Sequence, residues 1–351
     1  MYHITGIQQI GIGVPDIEAI WRWYRTHFGM DVPVFQEAAE APLMTKYTGG
    51  VVQSRTATLA INMQGGGGFE IWQYTSRGTE PPAFTPQLGD TGIFAGRIKS
   101  RDVVKSYQAM QRAGVTLRSE IEIAPDGWRH FFVQDPLGNL FDVVEGHGWF
   151  SKGDHHMGGP SGALLGVSDI DDARRLYTDL LGYDVVQYDE TGTFADLAGL
   201  LGGDKPVRRM LLTHGEARKG GFSELFGPSQ IELVQAVDYT PRRIFQDRFW
   251  GDLGFIHLCF DIVGMGDLKA AAEQAGFPFV IDSDSSFDMG EAAGRFSYVE
   301  DPDGTLIEFV ETHKIPILKK VGWYLDLRKR DPLKPLPKWM LKTMALSRVK
   351  D

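Results

Sequence analysis

Near the N-terminus Ile10, Ile12 and Val14 alternate with Gln9, Gly11 and Gly13. Far along the chain Ile256, Leu258, Phe260 and Ile262 alternate with His257, Cys259 and Asp261, and Ile307 and Phe309 flank Glu308. A period of two marks strands with one buried face. Other segments carry apolar or aromatic residues at helical spacing. Ile20, Trp21 and Tyr24 predict a helix over residues 18–27, and Ala173, Leu176 and Tyr177 one over 171–180. Two further helices are predicted over 105–114 and 268–276.

These elements recur in order. Gly13-Val14-Pro15-Asp16-Ile17 leads to Phe28-Gly29-Met30-Asp31-Val32, and Gly166-Val167-Ser168-Asp169-Ile170 leads to Leu181-Gly182-Tyr183-Asp184-Val185. A second unit type also appears twice. Its helix ends at Ala113-Gly114-Val115 or Ala275-Gly276-Phe277, and its last strand follows Asp135-Pro136-Leu137-Gly138 or Asp301-Pro302-Asp303-Gly304. Matched landmarks at this density indicate internal duplication. The chain reads as four strand–helix–strand–strand–strand units, an α+β architecture. The first pair spans 1–150, a linker 151–160, the second pair 161–313, and a tail 314–351.

Of 351 residues, 42% are hydrophobic and 23% charged, an ordinary globular mixture that excludes disorder and fibrous repeats. One cysteine, Cys259, cannot make an internal disulfide and reads as a buried strand residue. A net charge of −10 argues against nucleic-acid binding. No apolar run reaches the roughly 18–20 residues of a membrane span, and no signal peptide is visible, so a cytoplasmic protein is expected. The tail departs from the rest: it carries 11 Lys+Arg against 3 Asp+Glu, while the preceding 313 residues have a net charge of −18. Trp339, Met340, Leu341, Met344 and Leu346 lie there among Lys338, Lys342, Arg348 and Lys350. Such a segment suits an amphipathic helix, docked on the acidic body in cis or offered to an acidic lipid surface or a protein.

The repeated units resemble those of the vicinal oxygen chelate superfamily, which includes glyoxalase I, methylmalonyl-CoA epimerase, bleomycin and fosfomycin resistance proteins and extradiol dioxygenases. The resemblance covers about residues 5 to 313 and rests on the first-strand motif, the Leu-Gly or Ala-Gly landmarks, the Asp-Pro-x-Gly turns and the strand-end acids. It implies four βαβββ modules in two tandem pairs, forming curved mixed sheets around a divalent metal. Ligands are then expected from the first and last strand of each unit. The slots fall on Gln9 and Glu70, near Ala95 and on Asp142, on Gly162 and Glu232, and on His257 and Glu308. The alternation described above independently places Gln9, His257 and Glu308 opposite their apolar rows.

Unit pairing decides which slots meet. Neighbouring pairs would give Gln9, Glu70 and Asp142 in one site and Glu232, His257 and Glu308 in the other. Outer pairing gathers Gln9, Glu70, His257 and Glu308, and is favoured because it fills all four slots; Asp142 and Glu232 are then left in a degenerate site. A Gln/Glu/His/Glu set resembles the zinc site of one glyoxalase I class. It suits Zn²⁺, Ni²⁺, Co²⁺ or Mn²⁺, two carboxylates balancing the ion's charge. Four ligands on an octahedral ion leave two adjacent positions for vicinal substrate oxygens. The implied function is a metal-dependent lyase or isomerase acting through an enediolate, with Glu308 or Glu70 as the base. Alternatives are a ring-cleaving dioxygenase holding Fe²⁺, and a non-catalytic small-molecule binder. Against the dioxygenase, a two-His-one-carboxylate triad would need a histidine where Gln9 or Gly162 stands.

Residues 65–68 read as a hairpin turn, since no Gly-Lys-Ser/Thr follows to make a phosphate loop. Arg129, Arg295, Tyr298, Trp72 and Tyr47 are substrate-pocket candidates, and His155 and His156 lie in the linker. Duplication within one chain supports a monomer with a complete site, and exposed sheet edges would permit a homodimer.

Overall fold

The computed structural model describes residues 1–284, 287–289, 292–318 and 323–350. The first unit comprises β1 (His3–Gly13), α1 (Ile17–Phe28), β2 (Val32–Glu40), β3 (Ser54–Ile61) and β4 (Gly68–Tyr74). The second comprises β5 (Gly92–Ser100), α2 (Val103–Arg112), the short β6 (Thr116–Leu117) and β7 (Glu122–Ile123), β8 (Arg129–Gln134) and β9 (Leu140–Glu145). In the third are β10 (Met157–Gly166), α3 (Ile170–Arg175), β11 (Val185–Gly192), β12 (Val207–Thr213), α4 (Ser223–Phe226) and β13 (Gln230–Ala236). The fourth holds β14 (Gly254–Val263), α5 (Met265–Ala275), β15 (Ile281–Asp282), β16 (Phe287–Met289), β17 (Ala292–Glu300) and β18 (Leu306–Leu318). In the tail, β19 (Trp323–Asp326) and α6 (Lys338–Lys342) follow.

Local chemistry starts the helices where the pattern predicts them. Asp16, Asp102 and Asp169 each accept a hydrogen bond from the backbone N–H three residues on, capping α1, α2 and α3. The two Asp-Pro turns are built alike. Asp135 Oδ1 accepts from the N–H groups of Leu137 and Asn139, and Asp301 Oδ1 from those of Asp303 and Thr305. Each turn also receives a buried hydroxyl from the preceding unit's helix region, Tyr24 to Asp135 at 2.6 Å and Tyr177 to Asp301 at 3.2 Å.

Two curved mixed sheets result. The outer sheet runs β15-β17-β18-β14-β1-β4-β3-β2, and the inner sheet β11-β12-β13-β10-β5-β9-β8-β6. The first and fourth units therefore share one sheet and the second and third the other, so the neighbour pairing does not occur. One core joins both sheets and helices α1, α2, α3 and α5, through Ile10, Leu258, Ile98 and Leu165 on the strands and Trp21, Tyr107, Ala173 and Leu268 on the helices. Each sheet turns its other, polar-bearing face away from this core.

Two expected boundaries shift. The linker assigned to 151–160 ends earlier, because β10 begins at Met157 and pairs with Ser100 of β5. Gly158-Gly159 looks turn-like, yet a side chain on Gly159 would run into the carbonyl of Gly66, so close packing explains the glycine there. The tail boundary at 314 also falls inside a strand, since β18 continues to Leu318 and pairs with β19. Residues 319–322 and 351 of the tail lie outside the described residues.

The tail docks in cis. Leu336 and Leu341 are buried among Leu59, Ile61 and Phe226, while Trp339 and Leu346 stay exposed. The Leu336 N–H donates to Gly221 O, and Arg348 pairs with Asp31 at 3.4 Å. The expected helix is short, with α6 giving way to a 3₁₀ turn at Thr343–Ser347. Leu341→Ala should cost about 2–5 kcal/mol, as for other buried leucines, and Trp339→Ala within about 0.5. Denaturant melts that rank these two the other way would show that the tail does not pack here. Among the described residues no helix is long and apolar enough to cross a membrane.

Candidate metal centre

Strands β18, β14, β1 and β4 are consecutive in the outer sheet. In register, Gly11 pairs with both His257 and Glu70, Gln9 pairs with Cys259, and Cys259 pairs with Glu308. Ile10, Phe69, Leu258, Phe260, Ile307 and Phe309 are fully buried in the shared core. Alternation then forces Gln9, Glu70, His257 and Glu308 together on the opposite face. Gly11 makes room for this. A Cβ there would come within 2.8 Å of three imidazole atoms of His257, so that ring lies directly on the strand.

The four side chains converge. Gln9 Nε2 donates to Glu70 Oε2 at 3.2 Å and to Glu308 Oε2 at 3.3 Å. His257 Nε2 lies 3.3 Å from Glu70 Oε2 and 3.1 Å from Glu308 Oε2. It has no aligned hydrogen bond to either, and Gln9 Oε1 has no partner among the described residues, although both atoms are buried. One donor atom each from Glu70, His257 and Glu308 falls within 4.8 Å of the others. A half-turn of the Gln9 amide exchanges Nε2 for Oε1 and adds a neutral oxygen to that set.

Electrostatics favour a cation at this point. Burial alone would lower the pKa of His257, but Glu308 and Glu70 outweigh it and push the group up to about 10. Glu308 is held below the usual carboxylate range: burial would raise it, and the charge of His257 prevails. Two carboxylates beside one imidazole thus demand a positive charge, which a proton on His257 or a divalent ion supplies. An N/O set with two acids and unpartnered acceptors fits such an ion.

The inner sheet balances its acids with arginines instead. Leu164 pairs with Glu232 as Gly11 does with Glu70, and Arg97 with Asp142 as Cys259 does with Glu308. Gly162 and Ala95 therefore stand where Gln9 and His257 do, as the repeat alignment expects. Guanidinium groups fill the space. Arg97 donates to Asp142 Oδ2 at 3.0 Å and to Glu232, and Arg209 donates to Glu232 at 2.7 Å and Asp196 at 2.8 Å. Tyr188 adds a hydroxyl to Glu232. Glu232 is thus no ligand for His257. Arg97, His130 and Arg209 are not among the site residues expected from the sequence, although the pattern carries a signal for them. Phe131 and Val133 form an apolar row that leaves His130 facing Asp142, by the same alternation that placed His257.

His130 Nδ1 lies 2.8 Å from Asp142, and its Nε2 3.3 Å from Asp196. Burial would lower its pKa, but the two carboxylates outweigh it and raise it to about 9. The folded value exceeds the unfolded value near ~6.5, so the stabilisation is complete below that pH and lost as pH rises through about 9. At about 1.4 kcal/mol per unit it is on the order of 3 kcal/mol. Lys99, lowered by burial to about 7, acts in the opposite sense. Comparison with His130→Gln isolates the histidine: the variant should lose less stability than the parent between pH 6.5 and 9. Parallel declines in denaturant midpoint would refute the assignment.

The remaining candidates separate. Tyr298 and Trp72 are buried beside the outer centre, the Tyr298 ring 5.6 Å from that of His257. The Tyr47 hydroxyl donates to Glu300. Arg129 and Arg295 are engaged by Glu145 and Asp282, away from the four donors. His155 packs against Gly29, also apart from the centre. Cys259 is buried, and burial with Glu308 nearby pushes its thiol well up. Residues 65–67 lie in the turn between β3 and β4, and Gly68 opens β4.

Comparison with known proteins agrees with this architecture. A sequence model of the glyoxalase/bleomycin resistance protein/dioxygenase superfamily matches residues 6–143 and 155–309. Glyoxalase I from Zea mays superposes with a TM-score of 0.50 at 14% identity, covering 89% of this chain and 92% of that one. A candidate dioxygenase from Bacillus subtilis gives 0.54 at 14% identity, covering 88% and 86%. At such identity these likenesses speak for the fold alone. A search of curated proteins finds no match.

Proposed function

Because the chain belongs to the glyoxalase/bleomycin resistance protein/dioxygenase superfamily, we propose that Gln9, Glu70, His257 and Glu308 hold one divalent cation and serve a metal-dependent lyase or isomerase. Its substrate class is a small molecule with vicinal oxygens. The observation that carries this is the convergence of four side chains from four adjacent strands, with Gln9 Oε1 and His257 Nε2 buried and without a hydrogen-bond partner among the described residues. Zn²⁺, Ni²⁺, Co²⁺ or Mn²⁺ suits these donors, and such an ion supplies Lewis acidity that favours proton loss beside a carbonyl. The chain's own part is to position the substrate against β1 and β14, to exclude water, and to take the proton on a carboxylate. Glu308 is our choice for that base: it is the more enclosed of the two acids, 8% exposed against 12% for Glu70.

Elemental analysis of the purified protein tests the first half, with one ion per chain expected. Solvent deuterium uptake into α-hydroxy ketones, 2-oxoaldehyde thiol adducts and acyl thioesters tests the second. Fe²⁺-dependent, stoichiometric oxygen uptake with a catechol or hydroquinone would instead establish a ring-cleaving dioxygenase. A metal-free protein that turns over neither panel would leave the non-catalytic small-molecule binder standing.

A further inference from the structure

The unpartnered atoms near the outer centre are of two kinds. Gln9 Oε1 and His257 Nε2 are suited to a cation, but the indole N–H of Trp250 is also buried without an acceptor among the described residues. Indole N–H is a donor only and cannot ligate an ion, so the proposed metal does not account for it. Trp250 is 7% exposed. Its ring lies nearly parallel to that of His257, at 17° and 6.4 Å between centroids, and edge-on to Tyr298 at 6.4 Å. Trp72 closes the other side at 4.5 Å.

The loop before β14 is held so that this ring stays in place. The Trp250 backbone N–H donates to Tyr47 O at 3.0 Å, and the Tyr74 hydroxyl donates to Trp250 O. Asp252, two residues on, accepts from Arg77 and from the N–H groups of Glu80 and Phe249. A buried donor left unpaired costs about 1–3 kcal/mol, and phenylalanine would supply an aromatic wall without that cost. We infer that the Trp250 indole N–H donates a hydrogen bond to an oxygen of the bound substrate, making Trp250 a substrate-binding and specificity-determining residue. This rests on the reading of the centre as one for vicinal-oxygen ligands. A donor fixed before the substrate arrives favours an oxygen that gains negative charge, and it disfavours ligands that present no acceptor on that side.

The test uses the zinc-loaded full chain and two probes: tropolone, whose vicinal oxygens can accept, and imidazole, which binds zinc but offers the indole no acceptor once bound. By calorimetry, Trp250→Phe should weaken tropolone about tenfold while metal content and imidazole affinity stay within about twofold. In the unaltered protein with ¹⁵N-labelled tryptophan, the Trp250 Nε1–H resonance should move downfield with tropolone and stay put with imidazole. This reading survives even where the variant does not fold. Equal loss of both probes would indicate packing only, and an unchanged tropolone affinity or an unmoved resonance would equally overturn the inference. Failure of the unaltered protein to bind zinc or tropolone sinks the underlying reading first, and this inference with it.

Discussion

Glu70→Ala and Glu232→Ala should fail in opposite ways. Both remove a glutamate from the last strand of a first-type unit, one in each sheet. Glu70 shares its centre with Glu308, so its loss relieves a like-charge pair and takes away a donor. The variant should fold, and its metal content should fall to a small fraction of one ion per chain. Glu232 instead accepts from Arg97, Arg209 and Tyr188, all buried. Its loss leaves two guanidinium groups short of a carboxylate in a site closed to water, which typically costs about 3–5 kcal/mol. What folds of that variant should keep its metal. Elemental analysis and denaturant melts on the same two preparations decide the matter. A folded Glu232→Ala protein without metal, or Glu70→Ala with a full complement, would show that the centre is misassigned.

That contrast also marks what the sequence could and could not reveal. Burial of Ile10 and Leu258 leaves a period-two strand one way to point Gln9 and His257, so the face of each donor is legible from a few residues. Which strands become neighbours is not contained in that pattern. β1 meets β14 from nearly the other end of the chain, and only the unit count with its four matching slots favours that pairing. Arg97 shows the reverse difficulty. Its position two residues after Ala95 was plain, but an arginine in a strand ordinarily reads as exposed, and it is buried because Asp142 and Glu232 reach it from two other strands. Trp250 lies in a loop with no periodicity, so neither its stacking on His257 nor its unpaired N–H could be read before the loop had a path. Gly158-Gly159 misleads for a related reason: the residue that marks a turn also permits two backbones to touch.

The larger kinetic effect is expected at Glu308. The proposed reaction needs a group that takes a proton from carbon and returns it, and a glutamine of the same shape cannot do so. Glu308→Gln still offers a carbonyl oxygen where a carboxylate oxygen stood, next to His257 and Gln9. Glu70 and His257 remain, so most of the bound metal should remain too. Solvent deuterium exchange into the best substrate of the panel should then fall by about 10²–10⁴-fold, the usual worth of a positioned general base. Glu70→Gln is the internal comparison, because that carboxylate touches the same two neighbours from the opposite side. If Glu308 is the base, Glu70→Gln loses far less exchange at equal metal content. If the ranking is reversed, the base is Glu70 and the substrate approaches from the β4 side. Equal, modest losses in both would mean that neither acid handles the proton, and would remove the lyase or isomerase reading while leaving the centre intact.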